Sequence, residues 1–291
     1  MAAPVDVAAT VGSLREGARL RFAADGIWWT TRTPEGPATV QLVPDGRPAA
    51  QVCARAWGPG AEPALAAVAA LVGVDDDPST YAPSHPMVAE GWRRGPGLRL
   101  GHTASVMEAL LPAIVYQRVP AVDAGRSWRR LVWRHGQPAP GPADLRLGPD
   151  PARLAGLSYA ELHRFGLERR RATTLVGAAR SASRLEGLAA GPTDRLLAGL
   201  QALPGVGRWT ALSVARLVHG GADLVVEGDY NLPALVTWNL ARERTGDDVR
   251  MLELLESERP HRARAVQVIA AAGSRPPRHG PRLRAAAVAS F

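Results

Sequence analysis

The sequence predicts a mostly α-helical protein with a smaller α/β domain at its amino-terminal end. Two patterns support this fold class. Apolar residues recur at helical spacing through most of residues 103–272, whereas residues 19–57 contain short apolar runs separated by turns rich in proline and glycine. We expect an α/β domain over residues 1–95, a helical core over 96–274 and a basic, disordered tail over 275–291.

The amino-terminal part contains strand-like runs at residues 19–29, 38–43 and 49–57. Turns at 33–36 and 44–46 separate them, and an alanine-rich helix is predicted over 62–72. The adjacent Trp28 and Trp29 lie in the first run. The pair is either functional or, as adjacent aromatic residues of a strand more often are, one core residue and one edge residue, and we expect the latter.

The helical part begins with an apolar segment at 103–119, which Pro112 interrupts, and an amphipathic segment at 123–136. Ser158 and Glu161 have the spacing of a capping box at the start of a helix. Further helices are predicted from residue 166 and over 192–203, 209–218, 231–242, 247–256 and 262–272, with Thr193 or Asp194 capping the one at 192.

The chain has 291 residues, a net charge of +8 and a pI of about 10.9. Such a charge suits a polyanionic partner, although an arginine-rich composition can also occur without any such partner. No run of 18 apolar residues and no signal-peptide pattern occur, so we expect a cytoplasmic protein associated with the nucleoid. The single cysteine, Cys53, leaves no internal disulfide and no four-cysteine iron–sulfur cluster.

Residues 203–210 read Leu-Pro-Gly-Val-Gly-Arg-Trp-Thr and separate two predicted helices. The two glycines allow a tight turn, and the first turn of the second helix has unpaired N–H groups at the positive end of its dipole. A phosphate can approach such N–H groups closely. Asp229, followed by Tyr230, lies 22 residues beyond Gly207.

This combination resembles the helix-hairpin-helix and Gly-Pro-Asp superfamily of DNA glycosylases, and within it the 3-methyladenine DNA glycosylase II branch. The resemblance covers about residues 98–273. It departs from the family pattern at Gly228, which precedes Asp229 directly with no intervening proline. It implies a curved antiparallel sheet in the amino-terminal domain, a helical glycosylase core with the hairpin at 203–210, and double-stranded DNA with damaged bases as the partner of a monomer.

The resemblance also assigns candidate site residues. The expected DNA contacts are Leu203, Gly205, Gly207, Arg208, Thr210, Gln117 and Arg118, with Arg118 wedged into the duplex. The expected base pocket is formed by Trp209, Tyr230 and Tyr116. The carbonyl groups of Leu203 and Val206 match positions that hold a monovalent cation in the family, and no other cofactor is expected. His261 and Arg264 replace aromatic residues of the family's last helix.

Asp229 is the expected catalytic residue, because cleavage of a glycosidic bond leaves cationic charge on the sugar that a carboxylate can stabilise. It could instead be a plain helix N-cap, or serve in both roles. Trp209 and Arg118 each have two possible roles as well. Trp209 is either a core residue or a stacking wall for the base, and Arg118 is either the wedge or a solvated charge at a helix end.

Lyase activity in related enzymes needs a lysine amine just after the hairpin. This sequence has Trp209 at that position, and all 35 of its basic residues are arginines. The sequence therefore predicts a monofunctional glycosylase that releases cationic, alkylated purines such as 3-methyladenine. The main competing hypothesis is a non-catalytic DNA-binding protein derived from a glycosylase. The lack of lysine and of cluster cysteines argues against a repair enzyme for oxidised bases.

Overall fold

The computed structural model describes residues 4–14 and 20–277. Its sheet is an antiparallel meander in the order β1-β2-β3-β4, with the strands β1 (Leu20–Ala23), β2 (Gly26–Thr33), β3 (Gly36–Pro44) and β4 (Val52–Trp57). Two-residue turns join β1 to β2 and β2 to β3, since Ala23 pairs with Gly26 and Thr33 with Gly36. Gly26 and Gly36, which follow these turns, both have positive φ angles, a conformation that glycine adopts readily.

Trp28 and Trp29 are both buried, on opposite faces of β2. Trp29 joins the main core, whereas Trp28 stacks on Trp57 of β4 with a centroid distance of 5.5 Å. The indole N–H of Trp28 donates to Asp25 in the preceding turn. Both tryptophans therefore stabilise the sheet, and neither lies at an exposed edge.

Helices form most of the remaining structure, so the predicted fold class is confirmed. They are, in chain order, α1 (Val7–Gly12), α2 (Ala61–Ala66), α3 (Val68–Leu71), α4 (Pro86–Arg94), α5 (Val106–Tyr116), α6 (Ala121–His135), α7 (Pro151–Ala155), α8 (Tyr159–His163), α9 (Arg169–Arg180), α10 (Ala182–Glu186), α11 (Thr193–Gln201), α12 (Arg208–His219), α13 (Leu232–Ala241), α14 (Asp248–Leu255) and α15 (Arg262–Ala272). A two-stranded ribbon, β5 (Gln137–Pro138) and β6 (Arg146–Leu147), follows α6, and a 3₁₀ turn (Glu256–Glu258) follows α14.

Helix α5 lies at the centre of the main core and packs against α12, α9, α6 and α10. Residues Val106–Val115 are buried except for Glu108, and Pro112 lies inside the helix without ending it. The predicted interruption at Pro112 is therefore wrong. A proline removes one backbone donor, and burial on all sides of α5 outweighs that loss. The capping box of Ser158 and Glu161 is present at the start of α8.

A second core lies between α4, α13, α14 and α15. Gly91 of α4 allows α15 to approach closely, because a Cβ atom there would lie 2.7 Å from Val268. Helix α4 comes from the predicted amino-terminal domain, yet it packs against the last described helix. The domain boundary at residue 95 stays a prediction.

A buried ion pair reinforces this contact between the two ends of the chain. The guanidinium of Arg264 on α15, which is fully buried, donates to both oxygens of Asp76 at 2.9 and 2.6 Å. It also lies 5.8 Å from the ring centroids of Tyr81 and Trp92. Removal of either charge would leave its partner buried and unpaired, which is strongly destabilising.

Within the described ranges, no helix is long and apolar enough to cross a lipid bilayer. The predicted tail at 275–291 lies mostly outside these ranges, which end at residue 277.

Candidate active site

The hairpin lies between the end of α11 and the start of α12. Leu203 and Val206 are buried and anchor the turn, whereas Pro204, Gly205 and Gly207 are exposed. The N–H of Val206 donates to the carbonyl of Leu203 at 3.0 Å, which closes the turn. Gly207 is the N-cap of α12 and provides no side-chain cap, so the unpaired N–H groups of that helix start lie beside an exposed glycine.

The two hairpin glycines have different physical roles. Gly205 has a φ of +88°, and a Cβ atom there would lie 2.0 Å from the hydroxyl of Thr174. That hydroxyl donates to the carbonyl of Pro204 at 3.3 Å. No described atom lies within 4 Å of a Cβ atom placed on Gly207. Gly205 is therefore required by the turn itself, whereas Gly207 leaves space in front of α12.

Gln117 connects the end of α5 to the hairpin. Its amide Nε2 donates to the carbonyl of Gly205 at 3.0 Å and to the hydroxyl of Thr210 at 2.9 Å. Thr210 is only 2% exposed, so its side chain supports the hairpin from inside and does not face a ligand. Arg118 comes next in the chain, exposed and with a φ of +55°. A non-glycine residue in this left-handed conformation is uncommon, and the turn presents Arg118 beside the hairpin.

Asp229 is fixed through both of its carboxylate oxygens. Oδ1 accepts from the backbone N–H groups of Asn231 and Leu232 at 2.8 and 2.9 Å, at the start of α13. Oδ2 accepts from the indole Nε1 of Trp209 at 3.2 Å. Three N–H donors thus fix the orientation of this carboxylate near the start of α13. The N-cap of α13 is Asn231 and not Asp229, but the bonds from Asn231 and Leu232 hold the Asp229 carboxylate in one place.

Trp209 is half-buried on the first turn of α12. The edge of its ring points to Asp229, and its Cβ atom lies 3.2 Å from the position that a Cβ on Gly228 would take. Gly228 has a φ of +78°, which a side chain disfavours. The glycine before Asp229 therefore lets the loop pass close to Trp209.

Asp248 holds the same loop from the opposite side, and sequence reasoning missed it. Its Oδ2 accepts from the N–H of Gly228 at 2.8 Å, while its Oδ1 is buried without a described partner. Two consecutive acids at the start of α14 look like helix caps, and Asp247 does cap that helix. The sequence carried no signal that Asp248 turns towards Gly228, which is 20 positions earlier.

Arg208 forms a two-point ion pair with Glu227, at 2.9 and 2.6 Å. The hydrogen bond to Glu227 raises the pKa of Arg208 above its ordinary value. Both groups lie on the surface, where such a pair contributes little to stability. A phosphate can therefore replace Glu227 as the partner of Arg208 at small energetic cost.

The three expected pocket aromatics have different exposures. Tyr230 is 91% exposed, and Trp209 is half-buried. Tyr116 is partly buried and packs on the core, and its hydroxyl would lie 3.2 Å from a Cβ atom placed on Gly125. Asp229 is partly exposed and lines neither of two clefts in the described part of the chain, which have volumes of about 620 and 520 Å³.

His261 and Arg264 do not form a pocket wall on α15. Both are buried, and His261 lies against Tyr81 with a centroid distance of 4.9 Å. Burial, followed by the Arg264 charge, lowers the pKa of His261. Burial and the neighbouring Glu258 carboxylate raise the pKa of Tyr81. These groups form a structural cluster behind the site.

No protein-family model matches the chain. A curated relative is DNA-3-methyladenine glycosylase 2 of Escherichia coli, which is 30% identical over 139 residues. That alignment covers 46% of this chain and 49% of the relative, so the chain matches about half the length of that protein.

Among the described residues, no group of three or more histidine, cysteine, aspartate or glutamate side chains could hold a metal ion.

The fold is that of the helix-hairpin-helix DNA glycosylases. The 3-methyladenine DNA glycosylase of Archaeoglobus fulgidus superposes with a TM-score of 0.75 at 17% identity, covering 92% of this chain and 94% of the other. The 8-oxoguanine glycosylase/lyase of Clostridium acetobutylicum, solved in complex with double-stranded DNA, gives 0.66 at 12% identity, with 92% and 91% covered. The chain is homologous to the E. coli 3-methyladenine enzyme, and the predicted resemblance is confirmed.

Proposed function

We propose that this protein is a monofunctional DNA glycosylase that releases alkylated, cationic purines such as 3-methyladenine in base excision repair. The observation that carries the proposal is the carboxylate of Asp229, which is held by the start of α13 and by Trp209 next to a hairpin with an open helix start. The homologous 3-methyladenine glycosylase supports the choice of substrate.

Binding begins at the hairpin. A phosphate of double-stranded DNA docks against the N–H groups that follow Gly207, and Arg208 exchanges Glu227 for that phosphate. The glycosidic bond is inaccessible inside a base-paired stack, so the damaged nucleotide must rotate out of the helix. Arg118 enters the vacated space, where its planar guanidinium stacks on the neighbouring bases.

Asp229 then stabilises the reacting sugar. When the C1′–N bond breaks, its electron pair leaves with the base and C1′ becomes oxocarbenium-like. The ionised carboxylate faces this cationic carbon and orients a water molecule, whose oxygen bonds to C1′ while its proton is released. An alkylated purine already carries positive charge and becomes neutral on leaving. A single carboxylate therefore suffices without a separate general acid.

The aromatic groups favour such a base. The π faces of Trp209 and Tyr230 attract an electron-poor, cationic ring more strongly than a neutral one. Tyr230 is exposed and is free to close over a flipped base, whereas Trp209 contacts Asp229 through its edge.

The absence of lysine supports hydrolysis without strand cleavage. A Schiff base with C1′ needs a free amine, and this chain has arginine at all 35 of its basic positions. Arginine does not deprotonate in proteins and does not replace lysine in this chemistry.

The carbonyl groups of Leu203 and Val206 are proposed to hold a monovalent cation between the hairpin and the phosphate. Backbone oxygens suit a hard cation, although the Leu203 carbonyl already accepts from Val206 and has one lone pair left. No other cofactor is proposed. We place the enzyme in the cytoplasm, as a monomer on damaged double-stranded DNA.

The test is release of free bases from four DNA substrates, which carry 3-methyladenine, 7-methylguanine, uracil or 8-oxoguanine. Mass spectrometry of the released bases should detect 3-methyladenine and 7-methylguanine, with little of the other two. A preference for uracil or 8-oxoguanine would overturn the choice of substrate. Tight binding with no release of any base would favour a non-catalytic DNA-binding protein instead.

A further inference from the structure

Helix α6 exposes a stripe of arginines around one tryptophan. Arg126, Arg129, Arg130, Trp133 and Arg134 follow each other at helical spacing and are all exposed. Trp133 is 74% exposed, which is unusual for so large an apolar side chain. The opposite face of α6 is buried, so the stripe is the solvent face of a rigid helix.

This stripe forms one wall of a cleft of about 620 Å³, which we name the arginine cleft. The residues that line it are Arg129, Arg130, Trp133, Arg134, His135, Glu161, Arg164 and Phe165. Four guanidinium groups thus surround one carboxylate. That carboxylate, Glu161, is already bonded to the N–H and hydroxyl of Ser158 in the capping box of α8.

The arginines of the cleft form no close ion pair in the described structure, although the charge of Arg164 acts on Glu161. Ion pairs involve many other arginines, but within residues 4–14 and 20–277 none is formed by Arg129, Arg130, Arg134 or Arg164. Burial and then the charges of Arg153 and Arg134 lower the pKa of His135, as expected in a positive field. The cleft therefore has an excess of positive charge, with four guanidinium groups and the single carboxylate of Glu161 in its lining.

Aromatic groups lie among these charges. Arg146 covers one side of the Trp133 ring at 5.1 Å from its centroid, and Arg130 lies 5.9 Å from that of Phe165. Alternating guanidinium and aromatic groups are typical of surfaces that bind single-stranded nucleic acid, because the backbone needs cations and every unpaired base has a face to stack. A paired base is already stacked on its neighbours, so neither of its faces is available to stack on Trp133.

We propose that the arginine cleft binds a single-stranded segment of DNA, with phosphates on its arginines and an unpaired base on Trp133. The site is separate from the hairpin. Helix α6 begins three residues after Arg118, and residues 129–134 lie about 12 to 20 Å along it at 1.5 Å per residue. The proposal rests on the cleft alone and does not depend on glycosylase activity.

Fluorescence anisotropy with a labelled oligothymidylate of about twelve nucleotides tests the proposal, a length within the usual site sizes. Trp133→Ala should lose roughly tenfold in affinity through the lost stacking contact. The double variant Arg130→Gln, Arg134→Gln should bind more weakly, and its plot of log affinity against log salt should be flatter by about 1.4, because each phosphate contact on a single strand contributes about 0.7.

Matched controls separate this site from other surfaces. Arg55→Gln removes an exposed arginine on β4 and should leave the affinity for oligothymidylate unchanged. Gly207→Asp should weaken duplex binding but not oligothymidylate binding. Trp133→Ala should keep the wild-type melting temperature and rate of base release.

Three results would overturn the proposal. The first is that the wild type does not bind oligothymidylate at low salt. The second is that Trp133→Ala binds oligothymidylate as tightly as the wild type. The third is that Gly207→Asp weakens the binding of oligothymidylate as much as it weakens the binding of duplex DNA. The last result would place the single strand on the hairpin.

Discussion

The indole N–H of Trp209 donates to Oδ2 of Asp229 over 3.2 Å, and this bond joins the first turn of α12 to the loop that precedes α13. Because Oδ1 is held by two backbone donors of α13, the carboxylate cannot rotate without breaking contacts on both sides. The carboxylate of Asp229 is therefore held at a fixed position relative to the first turn of α12. Fixed charges of this kind stabilise a transition state without reorganisation during the reaction.

Asp229→Asn should reduce base release by about two to four decades, because the neutral amide no longer stabilises the cationic sugar. Its amide oxygen can still accept from the N–H groups of Asn231 and Leu232, so binding to DNA with an abasic site should persist. Single-turnover release of 3-methyladenine, with anisotropy on abasic DNA as the control, measures both effects. Near-normal release would remove Asp229 from the mechanism.

Trp209→Phe separates the hydrogen bond from the aromatic face. Phenylalanine keeps a ring but has no N–H for Asp229, so we expect roughly a tenfold slower release with unchanged binding to abasic DNA. Trp209→Ala loses the ring as well and should be slower still. Equal rates for the wild type and the phenylalanine variant would show that the bond to Asp229 is dispensable.

Gly207→Asp should weaken duplex binding regardless of sequence, because it places a negative charge where a phosphate docks. Gly207→Ala is the matched control and should fold and bind normally, since no described atom lies within 4 Å of the added Cβ. Gly205→Ala should instead lower the melting temperature, as its Cβ would clash with Thr174. Duplex affinity that did not respond to salt, or to Gly207→Asp, would contradict the clamp.

The lack of lysine predicts the form of the product. DNA treated with the enzyme should keep intact strands at abasic sites until heat or alkali cleaves them, and borohydride should trap no protein–DNA adduct. Denaturing gels before and after alkali provide the measurement. Efficient trapping would mean that another amine, such as the terminal one, reaches C1′.

Asp223 forms an ion pair with Arg262 at the start of α15, and this pair makes the stability of the fold depend on pH. Burial alone would raise the pKa of Asp223, but hydrogen bonds from Arg262 and the charges of Arg262 and Arg259 outweigh it and lower the pKa below 3.8. The ionised group therefore stabilises the fold above about pH 4, and this contribution is lost as the pH falls through the lowered value.

Asp223→Asn should lower the melting temperature at pH 7 by about 2 to 4 °C, the shift for about 1 kcal/mol in a domain of this size. The difference from the wild type should shrink as the pH falls below about 4. Thermal melts across this range test the prediction, with Asp25→Asn in the β1–β2 turn as a control. A constant difference at every pH would contradict it.

The hairpin turn and the capping box could be predicted because their signals are local, with turn residues and caps at fixed spacing. The catalytic role of Asp229 rests on the family resemblance and stays a prediction. The contacts that fix the site geometry join distant positions. Gln117 meets Gly205 across 88 residues, and nothing in its local sequence specifies that bond. Thr193, predicted as a cap, begins α11 without capping it and bonds instead to His219 of α12. At Gln117 and Thr193, contacts with distant parts of the chain determine the side-chain partners, and the local sequence does not.

The buried pair of Arg264 and Asp76 also affects how the chain folds during its synthesis, because its two members are made at very different times. Asp76 leaves the ribosome 188 residues before its partner, together with the rings of Tyr81 and Trp92 that enclose the guanidinium. Until α15 emerges, this early part of the nascent chain has an uncovered apolar surface and an acid with no counter-charge. The second core can therefore close only after α15 has been synthesised, and a chain truncated before residue 264 would present that surface to chaperones and proteases.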